Sequence, residues 1–150
     1  MNTFFFLSFF FSAHPVQTCP AHGTPMLELD HRADTKIETS TVKIYNSGAW
    51  TFTPIDKDGV AGATTRGCFD QRTLTQIRRA VQRAPWEITH PRIMCFAYSP
   101  QFTQYLLHGQ LMFTQRMCGG EQVDDETRKA LDLVNTKLAA VLPHTDAPVR

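Results

Sequence analysis

The order of two hydrophobic periodicities along the chain constrains its fold more than any other sequence feature. Apolar and polar residues alternate over 26–32 with the period of a half-buried β-strand. Five further segments are predicted to be extended: 41–46, 50–53, 86–98, 102–107 and 111–117, with 86–98 interrupted at His90-Pro91. Short turns at Ser47-Gly48 and His108-Gly109 join two pairs of these strands, which are therefore antiparallel.

Two segments instead have the spacing of amphipathic helices, and they are predicted over 70–84 and 124–142. Each begins at an aspartate that is a suitable N-cap, Asp70 or Asp124, and each stops before a proline. The predicted core-facing residues are Leu74, Ile77 and Val81 in the first helix, and Leu131, Val134, Leu138 and Val141 in the second.

The element order is therefore βββαβββα, with residues 60–67 read as a loop after a turn at Asp56–Gly59. Strands joined by short connections favour an antiparallel sheet, and two amphipathic helices need a sheet face to cover. The sequence predicts an α+β domain: one antiparallel sheet of about six strands with both helices packed on one side.

The N-terminus indicates export. Residues 4–11 are almost wholly apolar, a run far shorter than the roughly 20 residues of a spanning helix and similar to the apolar part of a secretory signal. No Lys or Arg precedes this run, and Val16-Gln17-Thr18 is a candidate cleavage site. We expect residues 1–18 to be a signal peptide, and 19–150 a single domain with no membrane span and a loose tail over 143–150.

Four widely spaced cysteines predict two disulfides in an oxidising compartment. They are Cys19, Cys68, Cys95 and Cys118. An extended chain returning along a 15-residue helix brings Cys95 level with Cys68, which favours Cys68–Cys95 and leaves Cys19–Cys118. The alternative pairs Cys95 with Cys118 and Cys19 with Cys68. A lipoprotein, acylated at Cys19, is a further alternative.

Charge excludes one class of partner at the level of the whole protein. The formal net charge is +1, so no overall field favours nucleic acid or an acidic substrate, and we expect no nucleic-acid partner. Locally, residues 66–92 hold six arginines against Asp70 and Glu87, which predicts a basic helix face. An ordinary solvated surface is the simplest interpretation of such a face.

No motif assigns a catalytic, metal or cofactor site. Glu28, Asp30, His31 and Asp34 are metal-ligand types, but on a strand His31 points away from Glu28 and Asp30. The turn at Asp56–Gly59 lacks the later acidic residue of a calcium loop. None of the six histidines lies in a paired motif, and no serine lies in GxSxG. An enzyme is therefore the less favoured class, and we expect no cofactor.

Two aromatic or loop features remain as binding candidates. Trp50 and Trp86 form either a ligand platform or, as is more common, part of the core. The segment Tyr98, Ser99, Pro100, Gln101 and Phe102 lies between two predicted strands and contains a rigidifying proline. It is the candidate partner-contact loop, since loops on rigid scaffolds often carry binding residues.

Two resemblances accompany these motifs. The residues that carry the first are Ser47-Gly48-Ala49-Trp50-Thr51, Gly67-Cys68, the stretch 86–90, Cys95, Gly109 and Cys118. In this order they resemble a group of small, uncharacterised exported bacterial proteins, over most of residues 26–140. The resemblance implies a secreted, periplasmic or cell-envelope location and no activity.

A second resemblance rests on Cys95, Pro100, Gly109 and Cys118, which in order are similar to the second half of the Streptomyces subtilisin-inhibitor family. That family has a sheet with two helices and a bridge beside its reactive loop. This chain lacks the family's first closely spaced cysteine pair, so no reactive-site residue is transferred. We expect a non-catalytic exported binding module whose ligand and partner are unknown, with another protein as one candidate partner. A proteinase inhibitor, a small hydrolase and a structural envelope protein without a small ligand are the alternatives.

Overall fold

The computed structural model describes residues 19–90, 99–117 and 120–142, which form two sheets and two helices. The main sheet contains β1 (Leu27–Ala33), β2 (Thr39–Ile44), β3 (Ala49–Ile55), β4 (Thr65–Cys68), β6 (Gln101–Leu107) and β7 (Gln110–Arg116). The small sheet pairs β5 (Ile88–Thr89) with β8 (Gln122–Val123), and the helices are α1 (Gln71–Arg83) and α2 (Asp125–Ala139). The predicted α+β class and six-stranded antiparallel sheet are confirmed.

The strand order of the main sheet is β4-β3-β2-β1-β6-β7. Strands β1 to β4 are consecutive antiparallel neighbours, and the chain then crosses to the other side of β1, where β6 and β7 form a hairpin. Leu29 pairs with Val42 on one side and with Tyr105 on the other, so apolar residues of three strands share one face. This common register gives the sheet an apolar side and a polar side.

Both helices cover the apolar side. The buried core joins residues of the sheet to residues of both helices, and it includes Leu27, Leu29, Val42, Ile44, Trp50, Tyr105 and Phe113 from the strands with Leu74, Ile77, Val81, Leu131, Val134 and Leu138 from the helices. The rings of Tyr105 and Phe113 stack with centroids 4.6 Å apart. Neither helix lies on the polar side of the sheet.

The two aspartate N-caps are confirmed. Asp70 Oδ1 accepts a hydrogen bond from the Thr73 N–H at 2.9 Å, and Asp124 Oδ1 accepts one from the Thr127 N–H at 2.8 Å. In both cases the threonine hydroxyl also donates to the same carboxylate. These bonds lower the pKa of each aspartate below its ordinary value, because they favour the charged form.

The predicted end of the second helix is wrong by three residues. Helix α2 ends at Ala139, and Val141, predicted to face the core, is exposed. The N–H groups of Val141 and Leu142 both donate to the carbonyl of Leu138. This tightened last turn rotates Val141 out of the helical register, away from the core.

Residues 65–68 form a strand, although the sequence analysis placed a loop through 60–67. Thr65-Arg66-Gly67-Cys68 has no apolar alternation to mark it. This strand forms because it pairs with β3, in which Trp50 lies opposite Gly67. The indole of Trp50 occupies the space that a side chain at position 67 would need. An added Cβ at Gly67 would lie 2.6 Å from Trp50 Cε2, so this position requires glycine.

The long strand predicted over 86–98 is also corrected. Its described part contains only the two residues of β5, which pair with β8 and not with the main sheet. Trp86 has a left-handed backbone, with φ 56, directly after Pro85. The chain turns there, and β5 is drawn to the segment before α2: the Glu87 N–H donates to Asp124 Oδ2 at 3.0 Å. Residues 91–98 lie outside the described residues.

The favoured disulfide pairing is wrong. Cys19 is bonded to Cys68, as in the alternative pairing, so neither Cys68–Cys95 nor Cys19–Cys118 exists. Pairing of Cys68 with Cys95 would require the chain to run back along α1 beside Cys68, but β4 places Cys68 at the edge of the main sheet. The N-terminal segment reaches that edge and is held there by a hydrogen bond from Ser47 Oγ to the Pro20 carbonyl, 2.6 Å. Cys95 and Cys118 lie outside the described residues.

Candidate functional site

The polar side of the main sheet forms the floor of a groove with a volume of about 880 Å³. Alternate residues of three adjacent strands supply this floor, as the period-2 geometry of a strand requires. They are Glu28, Asp30 and Arg32 on β1, Thr39, Thr41 and Lys43 on β2, and Thr53 and Ile55 on β3. We call this feature the sheet groove.

Two loops form the walls of the sheet groove. One is the β1–β2 connection, 34–38, and the other follows β3 at 56–61. The second loop is built by a turn, as predicted: Asp56 Oδ1 accepts hydrogen bonds from the N–H groups of Asp58 and Val60 at 2.9 and 2.8 Å. Lys36 Nζ of one wall lies 3.5 Å from Asp58 Oδ1 of the other, so an ion pair links the two loops.

The charges on the floor are paired with one another. Lys43 Nζ lies 3.6 Å from Glu28 Oε1, directly across the β1–β2 pair. Asp30, which is buried, accepts from Arg32 Nε at 2.7 Å and from Thr41 Oγ1 at 3.0 Å. The floor is therefore close to neutral, and its polar groups are held in place by their own contacts. Such a surface suits a polar ligand without a strong net charge.

His31 lies on the opposite face of β1, as predicted from the strand periodicity. Its Nδ1 is 2.9 Å from Thr103 Oγ1 of the neighbouring strand β6. Burial lowers the pKa of His31 below its ordinary value, and the carboxylate of Asp30 partly opposes this shift. Two smaller grooves, of about 310 and 470 Å³, also reach His31, so it lies where three surface depressions meet.

The candidate partner-contact segment lies at the start of β6. Tyr98 is outside the described residues, Ser99 and Pro100 are half-buried, and Gln101 and Phe102 already belong to the strand. Phe102 pairs with β1 on one side and β7 on the other, and the Arg116 guanidinium lies 4.2 Å above its ring centre. The strand predicted over 102–107 already included Phe102, and the observed strand begins one residue earlier, at Gln101.

Backbone pairing limits the groups that residues 99–102 can offer to a partner. The Pro100 carbonyl accepts a hydrogen bond from the Asp34 N–H at 2.8 Å, and Gln101 pairs with Ala33. Side chains remain available, because Ser99 and Gln101 line the smaller groove of about 310 Å³ together with His31. A contact role for residues 98–102 stays a prediction, and within 99–102 it rests on side chains.

The two tryptophans pack with the core. Trp50 is buried, and Trp86 packs against the core with its ring centre 6.4 Å from that of Phe113. Trp86 Nε1 donates to the Val81 carbonyl at 3.1 Å, whereas Trp50 Nε1 has no hydrogen-bond partner among the described residues. The rings are therefore structural side chains and do not form an exposed platform.

The described residues do not assemble an evident catalytic or metal constellation. The ring of His31 contacts a threonine hydroxyl, while His22, His90 and His108 are exposed. Within 19–90, 99–117 and 120–142, no three His, Cys, Asp or Glu side chains are placed to hold a metal ion. Neither α1 nor α2 combines the length and apolar composition that a membrane-crossing helix requires.

Comparison with known proteins adds no family to this description. Family models, curated proteins and solved structures were each compared with the chain, and none of them matches it. The site must therefore be interpreted from its own geometry: a disulfide-linked α+β domain with one sheet face covered by helices and the other forming a polar groove.

Proposed function

We propose that this chain is an exported, non-catalytic binding module that accepts a polar segment of another protein in the sheet groove. The observation that carries the proposal is the groove itself: it lies on the sheet face opposite the helices, and its floor charges are already paired. Groups held in place before binding lose little freedom when a ligand arrives, which favours affinity.

The chemistry of the lining selects the class of ligand. Among the described residues, no Phe, Tyr or Trp side chain lines the groove, so it offers no broad stacking surface to a sugar ring or a base. Threonine hydroxyls, carboxylates and ammonium groups supply both donors and acceptors. A segment of polypeptide with alternating polar side chains matches such a surface and its near-zero net charge.

Binding is preferred to the inhibitor alternative for a backbone reason. A loop that is bound like a substrate must present free, extended backbone, whereas Gln101 and Phe102 pair with neighbouring strands. Binding is preferred to hydrolysis because of the contacts of His31. Among the described histidines, its ring forms a side-chain hydrogen bond, and the partner is Thr103 and not a nucleophile–acid pair.

The binding proposal is tested by selecting random displayed peptides on the folded domain and mapping the enriched ones. We expect amide chemical-shift changes at Asp30, Thr41 and neighbouring floor residues. Thr53→Trp should fill the groove and weaken the enriched peptides at least tenfold. Thr136→Trp, on the exposed face of α2, is the matched control and should not weaken them. Peptides that map elsewhere, or no enrichment at all, would overturn the proposal.

Export is tested separately by expressing the full chain in a bacterial host and measuring its intact mass with and without thiol alkylation. We expect an exported product that starts at Cys19 and takes up no alkylating reagent. A control with Phe9→Asp and Phe10→Asp, which interrupts the apolar run, should stay inside the cell. A full-length intracellular product with four alkylated thiols would contradict export and would leave the groove proposal open to its own test.

A further inference from the structure

Helix α1 carries positive charge without any compensating acid. Its 13 residues include four arginines and no Asp, Glu or aromatic residue. Arg78 has a structural task, because it is half-buried and donates to the Asn46 carbonyl. The other three, Arg72, Arg79 and Arg83, are exposed. We call these three the arginine stripe.

The arginine stripe lies along one line of the helix. Its members are seven and four residues apart, about two turns and one turn, and so they share one face. The core residues Leu74, Ile77 and Val81 lie on the opposite face, which fixes the stripe toward solvent. With a rise of about 1.5 Å per residue, the three Cα atoms span roughly 16 Å along the helix axis.

The guanidinium groups of the stripe are not used inside the domain. None of the ion pairs or side-chain hydrogen bonds found among the described residues involves Arg72, Arg79 or Arg83. A guanidinium binds sulfate or phosphate in a bidentate fashion, so three of them in single file match a chain of regularly spaced anions.

We propose that the arginine stripe binds a linear acidic polysaccharide through its sulfate or phosphate esters. A narrow stripe one residue wide suits a single polymer strand better than the broad surface of a membrane, and α1 exposes no large apolar side chain to insert into lipid. With no aromatic residue on α1, bases would gain nothing from stacking, so nucleic acid is the less suitable polyanion.

The test measures binding of a size-defined heparin oligosaccharide to the disulfide-bonded protein over a range of NaCl concentrations. Each polymer anion that an arginine neutralises contributes about 0.7 to the slope of log affinity against log salt for a single strand, so the three arginines contribute about 2. The variant with Arg72→Gln, Arg79→Gln and Arg83→Gln should lose this part of the slope. The wild type should therefore exceed this variant in affinity by a factor that is roughly 20-fold larger at low salt than at fourfold higher salt.

A control variant on the other helix removes the same number of charges: Arg128→Gln, Lys129→Gln and Lys137→Gln on α2. It should keep most of the heparin affinity, and an equal loss would show a net-charge effect and overturn the proposal.

The wild-type protein should bind heparin more tightly than single-stranded DNA of equal charge and more tightly than phosphatidylglycerol vesicles. Tighter binding to either, or no heparin binding at low salt, would also overturn it. This proposal rests on the proposed export, because the polymer would lie outside the cell. It does not depend on the sheet groove, and Thr53→Trp should therefore leave heparin binding unchanged. Either binding proposal can thus be refuted without refuting the other.

Discussion

Removing the Cys19–Cys68 disulfide tests how the N-terminal half is held together. The bond joins residues 49 positions apart and so closes a loop that contains β1 to β4. In the chain-entropy model, a loop of this length restricts the unfolded state by about 4 kcal/mol. At about 2–4 °C per kcal/mol for a domain of this size, the melting temperature should fall by roughly 8–16 °C.

The measurement uses the Cys19→Ser, Cys68→Ser double variant, because chemical reduction would also act on any bridge formed by Cys95 and Cys118. Thermal unfolding followed by circular dichroism gives the shift, and urea unfolding gives the free energy. Ser47→Ala is the control: it removes the hydrogen bond to Pro20 without opening the loop, and about 1 kcal/mol is expected. A double variant that melts within about 2 °C of the wild type would refute the loop-closure reasoning.

Three further predictions concern the core, the sheet edge and pH. Thr127→Val should lower the free energy of unfolding, measured in urea, by about 1–3 kcal/mol. The backbone N–H of Trp86 donates to Thr127 Oγ1 at 2.9 Å and would lose this partner. Gly67→Ala should lower the melting temperature and alter tryptophan fluorescence, because the new methyl group meets Trp50; an unchanged spectrum would contradict this contact. The pKa of His31 is lower in the folded protein than its ordinary value of 6.5. As the pH falls through 6.5, His31 is therefore protonated in the unfolded chain before it is protonated in the folded protein. The free energy of unfolding should decrease over this range until the pH reaches the folded pKa. His31→Gln should flatten that part of the pH–stability curve.

Local chemistry accounts for the elements that the sequence could predict. Asp70 and Asp124 were recognisable because a cap bonds to backbone within three residues. The turn at Gly48, with φ +88, was recognisable because a left-handed backbone favours glycine. The opposite faces of Asp30 and His31 follow from the period of a strand alone. Each of these inferences needs only a short window of sequence.

The features that the sequence analysis missed depend on contacts between distant segments. Strand β4 has no apolar pattern of its own and exists because β3 pairs with it. The Cys19–Cys68 bond depends on where that edge lies relative to the N-terminal segment. The groove needs the register of β1 on β2, and its two walls, which the ion pair between Lys36 and Asp58 links, come from separate connections of the chain. A single sequence carries no direct signal of such pairings.

The edges of the main sheet explain why its face, and not an edge, is the surface to examine for partners. An unpaired edge strand invites another strand to add to it. At β4, the first described residues cross the edge: the Cys19 N–H donates to Cys68 Sγ at 3.0 Å beside the disulfide. At β7, the Thr114 N–H donates to Glu121 Oε2 at 2.7 Å, so a side chain occupies a position that an added strand would need. Because the chain itself occupies part of each edge, strand addition there must first displace these contacts, whereas the sheet groove is an open depression and the arginine stripe is exposed.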